Sequence, residues 1–281
     1  MTKVKIVTDS TARLTPQEIA TYDITVVPLS VMIDGVVYYD GVSITPGEFM
    51  TKMATAKALP TTSQPSLGAF TAAYETLPAD AEVLSIHLTQ HLSGTVQAAE
   101  QASRLVPNDI MVRDSNYIDR ALAMQVIRAA EMAQAGATRE EILTELQQVE
   151  AHTELYLTVN TLKNLVAGGR LSKTSGLIGS LLDIKIGAHV PLGQITMEVK
   201  GRGKKTLRAY QDLIFERMQA SPKGIARISI SHADALSEAE ILAQRARETF
   251  PAAIVDIAEA TPIEAVHAGP GAIGISYLER Y

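Results

Sequence analysis

Through the first half of the chain, short runs of β-branched and apolar residues alternate with segments that open on helix caps. Lys3 to Thr8, Ile24 to Ile33 and Val83 to Leu88 are close to continuously apolar. Strands of that kind are buried on both faces, which points to a parallel sheet covered by helices. The covering helices announce their starts. Thr15-Pro16-Gln17-Glu18 and Thr45-Pro46-Gly47-Glu48 each place a threonine cap, a proline in the first turn and a glutamate three residues on, and Thr138 with Glu141 repeats the cap. Asp34-Gly35 is a hairpin signal between Ile24–Ile33 and Val36–Tyr39. Further helices are predicted at Phe49–Met53, Leu67–Leu77, Thr95–Val106, Asp119–Ala135 and from Thr138 to about Ala151, with one more strand centred on Ile110–Val112.

The second half changes character. Leu155–Val159 reads as a strand, and Thr161–Val166 and Ser175–Leu182 as short helices around Gly168-Gly169-Arg170. Ile184–Leu192 and Ile195–Val199 are strands flanking the turn signal Gly193-Gln194. An amphipathic helix at Lys205–Met218 precedes a strand at Ile225–Ser231, a helix at Ser237–Phe250 and strands at Ile254–Ile257 and Ile273–Tyr277. The chain has 281 residues, more than one domain usually holds. The expected fold is α/β in two domains. Residues 1–153 form an N-terminal domain with a mainly parallel sheet covered by helices. Residues 154–281 form a C-terminal α+β domain with a mixed sheet, and a ligand pocket lies near the interface.

Composition removes several function classes. A net charge of -6 argues against broad nucleic-acid binding, which needs a basic surface. With no cysteine, disulfides, thiolate catalysis and cysteine metal sites are excluded. No apolar run approaches the ~20 residues that cross a bilayer, and Met1 to Lys5 carries no signal-peptide pattern. A soluble, cytoplasmic protein is expected. Aromatic residues are 5% with no tryptophan, so aliphatic side chains fill the interior, which suits an alkyl ligand.

Helix N-termini and strand carboxyl ends are the anion-binding positions of α/β proteins. Asp9-Ser10-Thr11 and Asp114-Ser115 sit there, although local turn bonds account equally for their polar atoms. In Thr61-Thr62-Ser63-Gln64-Pro65-Ser66, Ser66 is placed to cap the next helix, while Thr61, Thr62 and Ser63 have no comparable local duty beyond that of a polar loop. In His91-Leu92-Ser93-Gly94-Thr95, Ser93 occupies the expected cap position. Gly94 admits a close approach to the backbone, so a carboxylate there meets the Ser93 hydroxyl, free amides and the helix dipole. Two basic turns follow: Gly168-Gly169-Arg170-Leu171-Ser172, read as exposed, and Gly201-Arg202-Gly203-Lys204-Lys205-Thr206. Each is a solvated turn or a site for phosphate or an acidic partner. No Walker or dinucleotide fingerprint is met. His87 and His91 fall on strand and loop, so they make no helical metal pair, and His267 lies in Ala265-Val266-His267-Ala268-Gly269-Pro270-Gly271, read as a glycine-rich loop. A lone histidine is more often structural than functional.

Taken together, Val7-Thr8-Asp9-Ser10-Thr11, Pro60-Thr61-Thr62-Ser63-Gln64-Pro65, Ser85-Ile86-His87-Leu88, Leu92-Ser93-Gly94-Thr95, Gly168-Gly169-Arg170-Leu171-Ser172 and His267-Ala268-Gly269-Pro270-Gly271 resemble the DegV family, whose kinase-coupled members are the FakB fatty-acid-binding proteins. The motifs occur in family order over essentially the whole chain. The resemblance implies a long-chain fatty acid such as palmitate as ligand, with its acyl chain in the C-terminal domain. It implies a carboxylate held by Thr62 and Ser93, with Ser63, Gly94 and His267 close by. It also implies a dihydroxyacetone-kinase-like fatty acid kinase subunit as partner. Arg170 and Arg202, in two glycine-flanked turns, are expected to converge on one exposed surface near the pocket mouth and dock it. The family's basic tract ends in alanine where this chain has Thr206. No cofactor, metal or catalytic residue is implied: the protein is expected to be a carrier working with a kinase.

Two other classes stay open at this stage. One is a hydrolase or phosphotransferase with Ser93 or Thr62 as nucleophile, against which stand a missing G-x-S-x-G elbow and no base at a recognisable spacing. The other is a sugar- or amino-acid-binding protein, whose pockets need more aromatic or polar groups than this chain supplies.

Overall fold

A computed structural model describes residues 4–171 and 184–281. In the first half, strands β1 (Lys5–Asp9), β2 (Thr25–Val27), β3 (Ser30–Ile33), β4 (Val36–Tyr39), β5 (Thr61–Ser63), β6 (Glu82–His87) and β7 (Asp109–Asp114) alternate with helices α1 (Pro16–Tyr22), α2 (Pro46–Thr55), α3 (Leu67–Glu75), α4 (Thr95–Ser103), α5 (Asp119–Gln134) and α6 (Arg139–Ala151). The second half carries β8 (Thr153–Val159), α7 (Lys163–Ala167), β9 (Ile184–His189), β10 (Thr196–Arg202) and α8 (Lys204–Gln219). It ends with β11 (Ile225–His232), α9 (Leu236–Thr249), β12 (Ile254–Glu259), α10 (Pro262–Ala268) and β13 (Ile273–Glu279). The short helix predicted at Ser175–Leu182 lies outside the described residues.

The architecture is α/β in two parts. The N-terminal part holds a four-stranded sheet of order β2-β1-β6-β7, parallel throughout. Both faces are covered: Phe70, Tyr74 and Ala99 pack on one, Leu122, Val126, Ile142 and Leu146 on the other. The C-terminal part holds a mixed six-stranded sheet of order β10-β9-β8-β13-β11-β12, in which only β11 and β12 run parallel. Helices α8 and α9 bury Tyr210, Ile214, Phe215 and Leu242 against one face of it.

The local signals acted as their chemistry dictates. Thr15, Thr45 and Thr138 each form a complete capping box, and Ser66 caps α3. Asp34 and Gly35 turn the β3–β4 hairpin with φ of 49° and 85°.

Three elements depart from the sequence reading. Ile24–Ile33, read as one strand, breaks at Pro28 and Leu29 into β2 of the parallel sheet and β3 of another. Thr61–Ser63, read as a loop, pairs antiparallel with β3 and completes a three-stranded sheet of order β4-β3-β5. Three polar residues carry no strand periodicity, so only the partner strand makes them one. His267, read as part of a loop, lies in α10. The signal was present in Thr261-Pro262-Ile263-Glu264, which forms the same capping box as Thr15.

The small sheet buries its apolar face on the second half. Val31, Ile33 and Phe49 share one cluster with Val159, Ile186 and Ala188. A polar tie crosses the same junction. Arg120, 3% exposed at the start of α5, donates to both Glu18 carboxylate oxygens at 2.9 and 2.7 Å. Its Nε stands 3.3 Å from Asp256 of β12. Removing one partner of a buried ion pair strands the other charges, so Arg120→Ala is expected to cost about 3 kcal/mol in urea unfolding. A loss under about 1 kcal/mol would show that the tie carries little.

Candidate functional site

A cavity enclosing about 960 Å³ of space, its open mouth included, is walled from both halves of the chain. Leu29, Leu88 and Ile118 line it from the first half, and Leu155, Leu157, Val190 and Ile195 from the second. The wall is mostly hydrocarbon, as a site for an apolar ligand requires.

At one place a ring of contacts gathers most of the predicted polar residues. Thr62 Oγ1 on β5 pairs with His267 Nε2 on α10 at 2.9 Å. Behind His267 lies Gly168, where a β-carbon would stand 2.2 Å from Nδ1, so only glycine leaves room for the imidazole. The Gly168 carbonyl accepts from an Arg170 guanidinium nitrogen at 2.8 Å, and Arg170 Nε donates to the Leu92 carbonyl at 3.1 Å. Leu92 leads to Ser93 and Gly94. There the Gln64 amide presses so closely on the backbone that a β-carbon on Gly94 would meet its Oε1 at 2.3 Å. Gln64 follows Thr62 and Ser63, and the ring closes. Thr62, Ser63, Gln64, Ser93, Arg170 and His267 all face the cavity.

Ser93 does not cap α4. The cap position falls on Gly94, with no side-chain hydrogen bond, and the Ser93 hydroxyl pairs with Thr95 Oγ1 at 2.9 Å. The first-turn amides of α4 therefore keep their positive end uncapped by a side chain. Arg170, read as a charge on an exposed turn, is half-buried and turned inward by the two carbonyls it serves. Sequence reasoning missed its direction because nothing in Gly-Gly-Arg-Leu says which way the turn faces. Arg202 ends β10, is exposed and does not line the cavity.

Burial, seconded by the Arg170 charge, pushes the His267 imidazole down to about 4, so it is neutral near pH 7. Its Nδ1 has no hydrogen-bond partner among the described residues. An orphaned N–H is rarer in proteins than an orphaned acceptor, which places the ring proton on Nε2. The imidazole then donates to Thr62, and the Thr62 hydroxyl keeps its own proton to give to an anion. Arg170 and the α4 N-terminus supply positive potential at the same place.

The other hydroxyl clusters are used locally. Asp9 accepts from the Thr11 hydroxyl and amide, from His87 Nδ1 at 3.0 Å and from the Leu88 amide at 2.9 Å. His87 Nε2 meets Ser85 at 2.7 Å, and Ser85 meets Tyr74. Ser85, His87 and Asp9 thus have the bonding order of a hydrolytic triad. All three are fully buried and none lines the cavity, so no substrate reaches that serine. Asp114 and Ser115 bond to neighbouring amides.

A model for the DegV family, described as an uncharacterised protein family, matches residues 3–280. A DegV domain-containing protein of Listeria innocua is 43% identical over 279 residues, 99% of each chain. The chain belongs to the DegV family. Among solved structures, a DegV family protein from Thermus thermophilus, described by its fatty acid binding, superposes with a TM-score of 0.88 at 31% identity, covering 99% of this chain and 100% of that one. DegV of Bacillus subtilis, described as a fatty acid binding protein, does so with a TM-score of 0.88 at 28% identity over 100% of both chains. DegV-family proteins thus include fatty-acid binders, built on this same pairing of a parallel and a mixed sheet.

The histidine of this family member carries a pH signature. Its folded pKa lies below the ordinary 6.5, so the stability linked to it is complete above 6.5 and is lost as pH falls toward about 4. In delipidated protein, the decline in urea midpoint over that window is expected to be shallower in His267→Gln than in wild type. Parallel declines would mean the group does not resist protonation.

Proposed function

We propose that this chain binds one long-chain fatty acid, such as palmitate, and presents its carboxylate to a separate fatty acid kinase subunit. The observation that carries this reading is the apolar cavity with one ring of donors on its wall. In it the carboxylate accepts from the Thr62 and Ser93 hydroxyls, with Ser63, the Gly94 backbone, His267 and the Arg170 charge close by. The acyl tail lies along the hydrocarbon wall, where each buried methylene contributes about 0.8 kcal/mol before ordering costs. The fatty-acid-binding descriptions of the Thermus thermophilus and Bacillus subtilis relatives support the ligand class. We keep the division at 153/154 as part of this proposal, with the small sheet reaching across it.

Activation belongs to the partner, a dihydroxyacetone-kinase-like subunit that moves the γ-phosphoryl group of ATP to a carboxylate oxygen, giving acyl phosphate and ADP. Arg202 is assigned to docking because it is exposed and outside the cavity. Arg170 joins it there only in so far as its charge reaches the carboxylate that the partner must approach. No described helix is long and apolar enough to cross a membrane.

The pairing of Thr62 with His267 also has the form of a nucleophile and its base, which is the case for a hydrolase. Two features weigh against it. A base held near pKa 4 takes a hydroxyl proton poorly at pH 7, and no carboxylate orients Nδ1 among the described residues.

Native mass spectrometry of protein purified from cells tests the carrier reading: a co-purified long-chain acid is expected, and an empty or sugar-loaded protein would overturn it. Loss of a charge-assisted hydrogen bond costs about 1.5–3 kcal/mol, so Thr62→Val and Ser93→Ala are each expected to weaken palmitate binding tenfold or more. Unchanged affinity in the folded double variant would remove the carboxylate assignment. Arg170→Ala is expected to weaken palmitate binding too, whereas Arg202→Ala is expected to lower only acyl-phosphate formation with a cognate kinase, by a margin that shrinks as salt is raised.

A further inference from the structure

The cavity wall carries a second polar group that the carboxylate reading does not use. Asp119 opens α5, Glu264 sits in the first turn of α10, and Ser231 lies near the end of β11 opposite Gly274 of β13. All line the same cavity. Asp119 is 7% exposed and Ser231 4%. Asp119 Oδ1, Glu264 Oε1 and Ser231 Oγ have no hydrogen-bond partner among the described residues. Asp119 Oδ2 lies against Gly274, 3.1 Å from where a β-carbon would stand, so the missing side chain lets the carboxylate reach the sheet.

Glu264 lies one turn before His267 on α10, so this group adjoins the ring and differs from it in charge. The charge acting on His267 is that of Arg170, whereas Asp119 and Glu264 act on one another and feel Arg13. Burial is the main influence on both carboxyls and raises them; at Asp119 the nearby Ser231 hydroxyl, beyond full hydrogen-bond geometry, and the charges of Arg13 and Arg120 offset part of the rise, while repulsion from Asp119 raises Glu264 further. A protonated carboxyl donates and an ionised one accepts. A carboxylate head is drawn to the Arg170 side, where it meets a positive charge that two protonated carboxyls do not offer. Leaving buried polar atoms unpaired is costly, and a plain alkyl chain leaves all three so.

We propose that Asp119, Glu264 and Ser231 form a hydroxyl-binding subsite within the acyl cavity, so that the preferred ligand is a long-chain fatty acid carrying an alcohol group along its chain. The proposal rests on the fatty-acid reading above and names the ligand more narrowly. An alcohol is both donor and acceptor, which matches a neutral carboxyl beside a serine. A cationic group fits less well, because burial favours the uncharged carboxyls and the charge of Arg13 already acts on them. A site built to hydrogen-bond an alcohol discriminates strongly against the analogue without it.

The test is a competition between stearic acid and positional isomers of hydroxystearic acid for delipidated protein, read by native mass spectrometry. At least one isomer is expected to outcompete stearate about tenfold. Ser231→Ala and Asp119→Asn are each expected to bring that ratio close to one. Stearate favoured over every isomer by the wild type would overturn the subsite without touching the fatty-acid reading. So would a preference that persists unchanged in both folded variants. Absence of any binding, stearate included, would overturn the fatty-acid reading and this one with it. The wild-type ratio stands even if a variant fails to fold.

Discussion

The small sheet β4-β3-β5 must bury its apolar face on a core it does not belong to in sequence. Three short strands cannot make a stable unit alone, and Val31 and Ile33 of β3, with Phe49 of α2, are buried in one cluster with Val159 and Ile186. That packing brings Thr62 to α10, 205 residues away in sequence, where it meets His267. The cavity, its donor ring and the shared core are thus consequences of one packing requirement. Arg120 reinforces it by linking α1 to β12 across the junction.

Polarity along the cavity wall is uneven, and burial sets the pattern. Burial keeps His267 neutral, so the local positive potential comes from Arg170 and the α4 N-terminus, neither of which burial neutralises near pH 7. Burial favours the protonated form of Asp119 and Glu264, so their place on the wall is a source of hydrogen bonds more than of charge. The same desolvation therefore makes one region suited to an anion and another suited to a neutral polar group. The sealed chain from Asp9 through His87 and Ser85 to Tyr74 shows the contrast: a polar network satisfied internally holds the parallel sheet together and offers nothing to a ligand.

Much of the fold was legible because its signals are local. Threonine caps, prolines in first turns and the Asp34-Gly35 turn act over a few residues, and the apolar runs of β1 and β6 report burial by composition alone. The family motifs also made Thr62, Ser93 and His267 candidates before any geometry was known. Misreadings arose where the deciding partner is remote. β5 is a strand because β3 lies beside it, and Ser93 is released from capping because the helix begins at Gly94. The box at Thr261 was legible in principle and was obscured by the glycines that follow His267.

By itself, the sequence determined most of the order of strands and helices, the two-part α/β character and the candidate residues for the proposed carboxylate site. Those depend on neighbours within a turn or a strand, and on motifs that survive as short words. Only the tertiary structure decided that Arg170 turns inward, that Gly168 makes room for His267, and that Asp119, Glu264 and Ser231 share the cavity wall. Each of those outcomes depends on which surfaces approach within a few ångströms, and burial, which sets the proton affinities of His267 and the two carboxyls, exists only once the halves have packed.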